Sequence, residues 1–258
     1  MRCTSSGCAP PSERSDRLLR RQLDARASAM LQAYLEGLGL EIHTNAETAS
    51  LSANGRIAQI MLKDGRTVPS DVFIVAAGIT PNADLARDAG LEVGRGVVVD
   101  DHMATGDPRI FAAGDVAEFN GRVPGLWPAA VDQAEVAADN AVGGEKAYKP
   151  TAPVTVLKVV GIELTSMGRF EAEEGDEVIA LEGGSGQKYR KLVISEGRIV
   201  GAILLGYSAE ASPVATAVKR GFLVEGLLPA LRAGKCDKLA DLSGDRPLVP
   251  VAPSHPGA

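Results

Sequence analysis

Residues 105–115, TGDPRIFAAGD, close a short apolar run with small residues, a glycine and a carboxylate. A glycine at a strand end lets a ligand approach the backbone closely. A carboxylate beside it can accept hydrogen bonds from vicinal hydroxyls, a strong use of an otherwise costly charge. That chemistry holds a ligand rather than breaking a bond. Residues 110–115 would serve equally as a strand-end turn whose Asp caps a helix. Downstream, LWPAAVDQAEVAADNAVGG (126–144) predicts a helix over 128–140 with Pro in its first turn. Its first amides carry the positive end of the helix dipole, suited to anionic groups. An amphipathic surface helix explains the same pattern. Upstream, VAAGITPN (75–82) reads as an apolar strand ending in Gly-x-x-Pro.

Other chemistry-bearing residues are sparse. Cys3 and Cys8, in CTSSGC, have the spacing of the redox pair in the glutathione-reductase class. They stand among Ser, Gly and Pro with no strand before them, and the only late His is His255, so the spacing reads as coincidence. His43 and His102 lie apart and are expected at the surface. No metal motif is present.

The elements that would position these residues follow from periodicity. Apolar residues from Leu18 to Leu35 recur at helical spacing, predicting an amphipathic helix over 16–37. Strand-like pieces follow at 41–43, 48–51, 57–62 and 71–76, with Asn54-Gly55 and Asp64-Gly65 as turn pairs. The last, DVFIVAAG, reads as a strand buried on both faces. A helix over 83–89 and short strands at 97–99 and 110–113 precede the helix over 128–140. After a linker at 145–153, strand patterns at 154–159, 162–167, 177–182, 189–195 and 199–205 lead into helices at 209–220 and 224–233. Strands in a run followed by helices mark a separate α+β domain.

Composition sets the outer bounds. The chain has 258 residues, 45% hydrophobic and 23% charged, as in ordinary globular proteins. Aromatics are only 4%, so the core must rest on aliphatic side chains, which suits α/β layering. A net charge of -6 argues against nucleic acid as a partner. Three cysteines are too few for a disulfide scaffold. No apolar run reaches membrane-span length and no secretory h-region is seen, so the expectation is a cytoplasmic protein with no membrane partner.

The three motifs around 75–82, 105–115 and 126–144, taken in order, resemble the FAD-dependent pyridine-nucleotide oxidoreductases with two dinucleotide-binding domains. LKVVGIELTSMGRF (157–170) and YRKLVISEGRIVGAILLG (189–206) resemble the interface domain of the rubredoxin-reductase and nitrite-reductase-large-subunit flavoprotein type. The resemblance implies FAD and NAD(P)H as cofactors. Hydride would pass from NAD(P)H to flavin, and electrons on to an acceptor redox protein. It implies that Asp115 binds a ribityl hydroxyl and that Gly114 packs near the pyrophosphate. Backbone amides at Ala130, Val131 and Asp132 would face the flavin pyrimidine. Gly78 would end the last NAD(P)-domain strand, Lys158 would lie near the flavin, and Glu13 would bind the adenosine ribose. Strand alternation alone would point Lys158 to solvent.

The Gly-rich strand–turn–helix that such enzymes use for dinucleotide phosphates does not appear. Gly183, Gly184 and Gly186 fall in a hairpin, and Gly90, Gly94 and Gly96 precede a strand. The expectation is an N-terminally truncated flavoprotein, α/β plus α+β, with a C-terminal interface domain. Residues 1–12 match nothing. Residues 13–80 form the late part of an NAD(P)-binding domain, 81–150 a late FAD-domain segment, 151–242 the interface domain and 243–258 a loose tail. FAD would then be held weakly by this chain alone. The alternatives are an inactive fragment or a module that binds a redox partner.

Overall fold

A computed structural model describes residues 15–53, 57–150, 154–159, 161–184 and 186–243. Glu13, Cys3, Cys8 and the tail beyond 243 lie outside the described residues. The chain divides into two compact units, one formed by residues 1–73 with 152–258 and the other by 74–151.

The first unit is organised by a five-stranded antiparallel sheet. Its strands are β6 (Val154–Val159), β7 (Ile162–Gly168), β8 (Glu177–Gly183), β9 (Lys188–Ser195) and β10 (Arg198–Leu205), in the order β6-β7-β10-β9-β8. Alternation sends successive side chains to opposite faces. On β10, Ala202 and Leu204 enter one core and Ile203 and Leu205 another. The strand is nearly all apolar because both its faces are buried. One face is covered by α4 (Ser208–Arg220), α5 (Leu228–Arg232) and a 3-10 helix (Cys236–Ser243), with Val214, Ala217, Leu231 and Leu239 buried there. The other is covered by α1 (Ala25–Gly37) through Ala27, Met30, Leu31 and Leu35.

Two adjacent cations on β9 anchor these layers. Lys191 Nζ lies 3.0 Å from Asp24 Oδ2 on the α1 side, and the Tyr189 hydroxyl donates to the same oxygen at 2.8 Å. Asp24 Oδ1 accepts from the Ala27 amide at 2.9 Å, so the carboxylate is at once the α1 N-cap and the sheet's ion-pair partner. On the opposite face Arg190 pairs with Glu210 in the first turn of α4 and donates to the Gly234 carbonyl at 2.7 Å. Its guanidinium stacks 4.2 Å from the Tyr207 ring centroid. Cys236 is buried beside this pair, and burial pushes its thiol up to about 12.

The helix predicted over 16–37 is shorter, because Asp24 caps it at Ala25. Residues 15–22 form turns, with Leu19 at φ +51, yet Leu18 and Leu19 still pack on the α1 cluster. A three-stranded meander follows, β1 (Thr48–Ala53), β2 (Ile57–Leu62) and β3 (Thr67–Pro69). The strand expected at 41–43 is absent, and so is the buried strand expected at 71–76. Val72, Ile74 and Val75 are instead 70%, 75% and 71% exposed. No strand among the described residues pairs with that segment, and of its large apolar side chains only Phe73 packs, against the cluster of Ala46, Ile60 and Leu62.

The second unit has a small core of Val99, Met103, Ala117, Val136 and Tyr148. Around it lie α2 (Asp84–Asp88), the parallel pair β4 (Val97–Val99) and β5 (Ala117–Phe119), a 3-10 turn (Gly114–Val116) and α3 (Trp127–Ala141). Residues 110–113 are not a strand; Phe111 makes only an isolated bridge to Ala104. Gly94 and Gly96 serve a loop clamp. The Glu118 carboxylate takes the Gly96 amide at 2.9 Å, and a Cβ at Gly96 would lie 2.5 Å from the Val116 carbonyl oxygen.

Asp24→Asn tests the α1 anchor. Burial alone would raise this carboxyl, but the Ala27 amide, Lys191 and Tyr189 outweigh it and hold it below the ordinary 3.8. A carboxyl depressed in the folded state stabilises above its unfolded pKa, and that contribution is lost as pH falls through the folded value. The substitution should cost about 2–3 kcal/mol at pH 7. It should also flatten the acid limb of stability below about pH 4 in urea titrations.

Candidate functional site

Within 105–115, Thr105, Asp107 and Arg109 close a turn among themselves. Thr105 Oγ1 accepts from the Asp107 amide at 3.2 Å, and Arg109 folds back on Asp107, with Nη2 to Oδ2 at 2.8 Å. The Arg109 guanidinium and amide hold the Asp107 carboxyl down at about 2, and both side chains are thereby committed to each other. The chain then enters the 3-10 turn at Gly114, which is buried and has φ +80.

That conformation favours glycine, and a Cβ there would lie in contact with Ala130 Cβ at 3.4 Å. The Gly114 amide donates to Gln133 Oε1 at 2.8 Å, and Gln133 is fully buried. Its Nε2 makes no well-formed hydrogen bond. The Tyr148 hydroxyl lies beside Gln133; burial raises its pKa, Asp132 adds to the rise and Gln133 opposes it. Tyr148 meets Phe119 edge-to-face at 5.3 Å. On the open side of the turn Asp115 is exposed, and among the described residues its carboxylate has no hydrogen-bond or ion-pair partner.

The helix above this turn begins at Trp127 with Pro in its first turn and no side chain capping it. Its first amides are thus left for water or a ligand, but the Ala130 amide is not among them, since it donates to the Leu126 carbonyl at 3.0 Å. Trp127 is 83% exposed. The loop that leads into α3 meets the Gly-x-x-Pro turn, because Ile79 Cδ1 lies 3.3 Å from where a Gly125 Cβ would be.

Of the expected site residues, the structure therefore gathers Gly114, Asp115, Ala130, Val131 and Asp132 around one turn–helix junction. Gly78 lies in the same unit, at φ +100 and exposed. Lys158 sits on β6 of the other unit, register-paired with Glu163. Glu13 lies outside the described residues. His43 and His102, expected at the surface, are half-buried and bonded to Arg66 Nη1 (3.0 Å) and the Lys146 carbonyl (3.1 Å).

Gln133 was not among the expected residues. Its signal in the sequence is a polar residue on the apolar stripe of a helix, between Ala130 and Ala137. Among the described residues no group of His, Cys, Asp and Glu could hold a metal. Nor, among the described residues, is any helix long and apolar enough to cross a membrane.

The junction suits a polyhydroxyl ligand with an electron-rich ring. A free carboxylate can accept from hydroxyls, and an uncapped helix N-terminus can face ring oxygens and nitrogens that carry negative charge. The glycine clusters near 90–96 and 183–186 open no helix, so neither provides a phosphate cradle.

Residues 12–134 match the family model "Pyridine nucleotide-disulphide oxidoreductase". Residues 153–222 match the "Rubredoxin NAD+ reductase C-terminal domain". The chain is 35% identical over 204 residues to a nitrite reductase [NAD(P)H] of Bacillus subtilis, covering 79% of this chain and 25% of the relative. It is 35% identical over 188 residues to an NADH-rubredoxin oxidoreductase of Clostridium acetobutylicum, covering 73% and 46%. A crystal structure of NADH:rubredoxin oxidoreductase from that organism superposes with TM-score 0.65 at 31% identity, covering 86% of this chain and 56% of that one. The chain thus spans half or less of the length of these two curated relatives.

Gly114→Ala should destabilise the second unit by about 1–2 kcal/mol, the cost of a Cβ in the left-handed region. Thermal melts and hydrogen exchange across residues 97–141 would register it, with exchange of the β9–β10 amides unchanged.

Proposed function

Since the chain belongs to the pyridine nucleotide-disulphide oxidoreductase family and carries a rubredoxin-reductase-type C-terminal domain, we propose that it provides the ribityl and pyrimidine half of an FAD site. The whole protein would be an NAD(P)H oxidoreductase. The observation that carries this reading is the Gly114 turn, closed on its inner side by Gln133 and Ala130 and presenting the free Asp115 carboxylate outward.

Asp115 would hold a ribityl hydroxyl, and Gly114 would let the chain of the cofactor lie close to the backbone. The first turns of α3, through Ala130, Val131 and Asp132, would face the flavin pyrimidine with the positive end of the helix dipole, the Ala130 amide itself being bonded to the Leu126 carbonyl. When bound, FAD accepts hydride from NAD(P)H and passes electrons on, and the protein's part is to orient it and stabilise its charge. Gly78 would return the chain from the NAD(P) region, with Lys158 near the flavin and Glu13 near the adenosine ribose. Residues 13–80 would be the late part of the NAD(P) domain, 81–150 that of the FAD domain and 151–242 the interface domain. The α+β unit, with its two cores, would meet the electron-acceptor redox protein. With no phosphate cradle among the described residues, this chain alone should hold FAD weakly.

Titration of the 15N-labelled chain with FAD into the millimolar range tests the proposal. The expected shifts are confined to amides 113–116 and 129–133. Asp115→Ala should weaken binding about tenfold or more, as loss of a charge-assisted hydrogen bond requires. Perturbations elsewhere, or none at these amides, would sink it.

A further inference from the structure

We propose that Gln133 is a positioning residue for the flavin site, setting the Gly114–Asp115 turn from behind; this rests on the flavin reading given above. The geometry is specific. Gln133 is fully buried, nineteen residues from Gly114 in sequence, and its Oε1 accepts the Gly114 amide at 2.8 Å. A buried backbone amide without an acceptor is costly, and an apolar residue on the α3 stripe would leave this one without. The bond ties the second turn of α3 to the residue immediately before Asp115. One side chain therefore fixes two things a ligand would read together, the direction of the Asp115 carboxylate and its offset from the helix N-terminus.

The other polar groups near Gln133 do not replace it. Its Nε2 lacks a well-formed hydrogen bond and acts only in opposing the rise of the Tyr148 pKa, so the one well-formed bond of the side chain is at the acceptor end. Tyr148 beside it is placed independently, by its ring contact with Phe119 and by its amide, which donates to the Asp101 carbonyl at 2.6 Å. The acceptor oxygen is the part of Gln133 that the fold uses.

The test compares Gln133→Met, which keeps length and volume but has no amide oxygen, with Gln133→Glu, which restores an acceptor. Three measurements are made on the full chain: amide exchange, thermal midpoint and FAD titration followed at the Asp115 amide. Gln133→Met should speed exchange at Gly114 about tenfold or more, with amides of the β4–β5 pair little changed. It should weaken FAD binding severalfold, and Gln133→Glu should recover most of both effects. Unchanged Gly114 exchange in Gln133→Met would overturn the proposal. So would a uniform loss of protection across residues 97–141, which marks a merely structural role. If wild type binds FAD and Gln133→Met binds it equally, this inference fails and the flavin reading stands. If wild type shows no FAD-dependent shifts at 113–116, the flavin reading fails and the positioning role falls with it.

Discussion

The backbone at Gly114 turns at φ +80 directly beneath Ala130 of α3, and the candidate site depends on that one close approach. A Cβ at 114 would strain the turn and rest against the helix at 3.4 Å. The amide that the turn buries needs an acceptor, and only α3 brings one, from Gln133. With the inner side closed in this way, the next residue has to face outward, and it is Asp115. Helix position, glycine and carboxylate are therefore not three separate features. They are consequences of packing a helix onto a turn whose positive φ favours glycine.

The first unit shows the same economy in its sheet. Arg190 and Lys191 are neighbours on β9, so the pleat must send them to opposite faces. Each finds a carboxylate in the helical layer on its own side, Glu210 in α4 and Asp24 at the head of α1. A charge left in either core without its partner would be expensive, so each pair ties the placement of a helix to the register of one strand. The exposed Arg26–Glu182 pair also links α1 to β8, but in water such a pair adds little.

How much of this could be read from residues varies with what each residue answers to. The five strands of the C-terminal sheet were legible because turn residues separate them and both faces are apolar, so β10 appears as RIVGAILL without a polar break. The start of α1 was not. Leu18 and Leu19 lie at helical spacing and do pack on α1, but from a turn, and periodicity reports the burial of side chains rather than the path of the backbone. The segment 71–76 failed in the opposite sense: its composition suits a strand buried on both faces, but a strand needs neighbours, and composition cannot supply them. In the candidate site the glycine, the carboxylate and the Pro-led helix were legible as residue types in order. Gln133 was not legible, because one amide in an amphipathic helix reads as surface.

Gln133 also bears on how the site is built. Gln133 leaves its own Nε2 without a good partner in the smaller of the two units, whose core holds few large side chains. A buried donor of this kind has a real cost, and a Leu or Met at the same place would avoid it and fill the same volume. The cost is offset only if the acceptor oxygen does something an apolar residue cannot, and its one bond is to the Gly114 amide. Stability of the fold could be had without that bond, by letting the turn relax. A fixed direction for the Asp115 carboxylate could not. The polar residue on the apolar stripe is therefore best understood as serving the geometry of the exposed carboxylate, with local stability given up for a turn that stays in place.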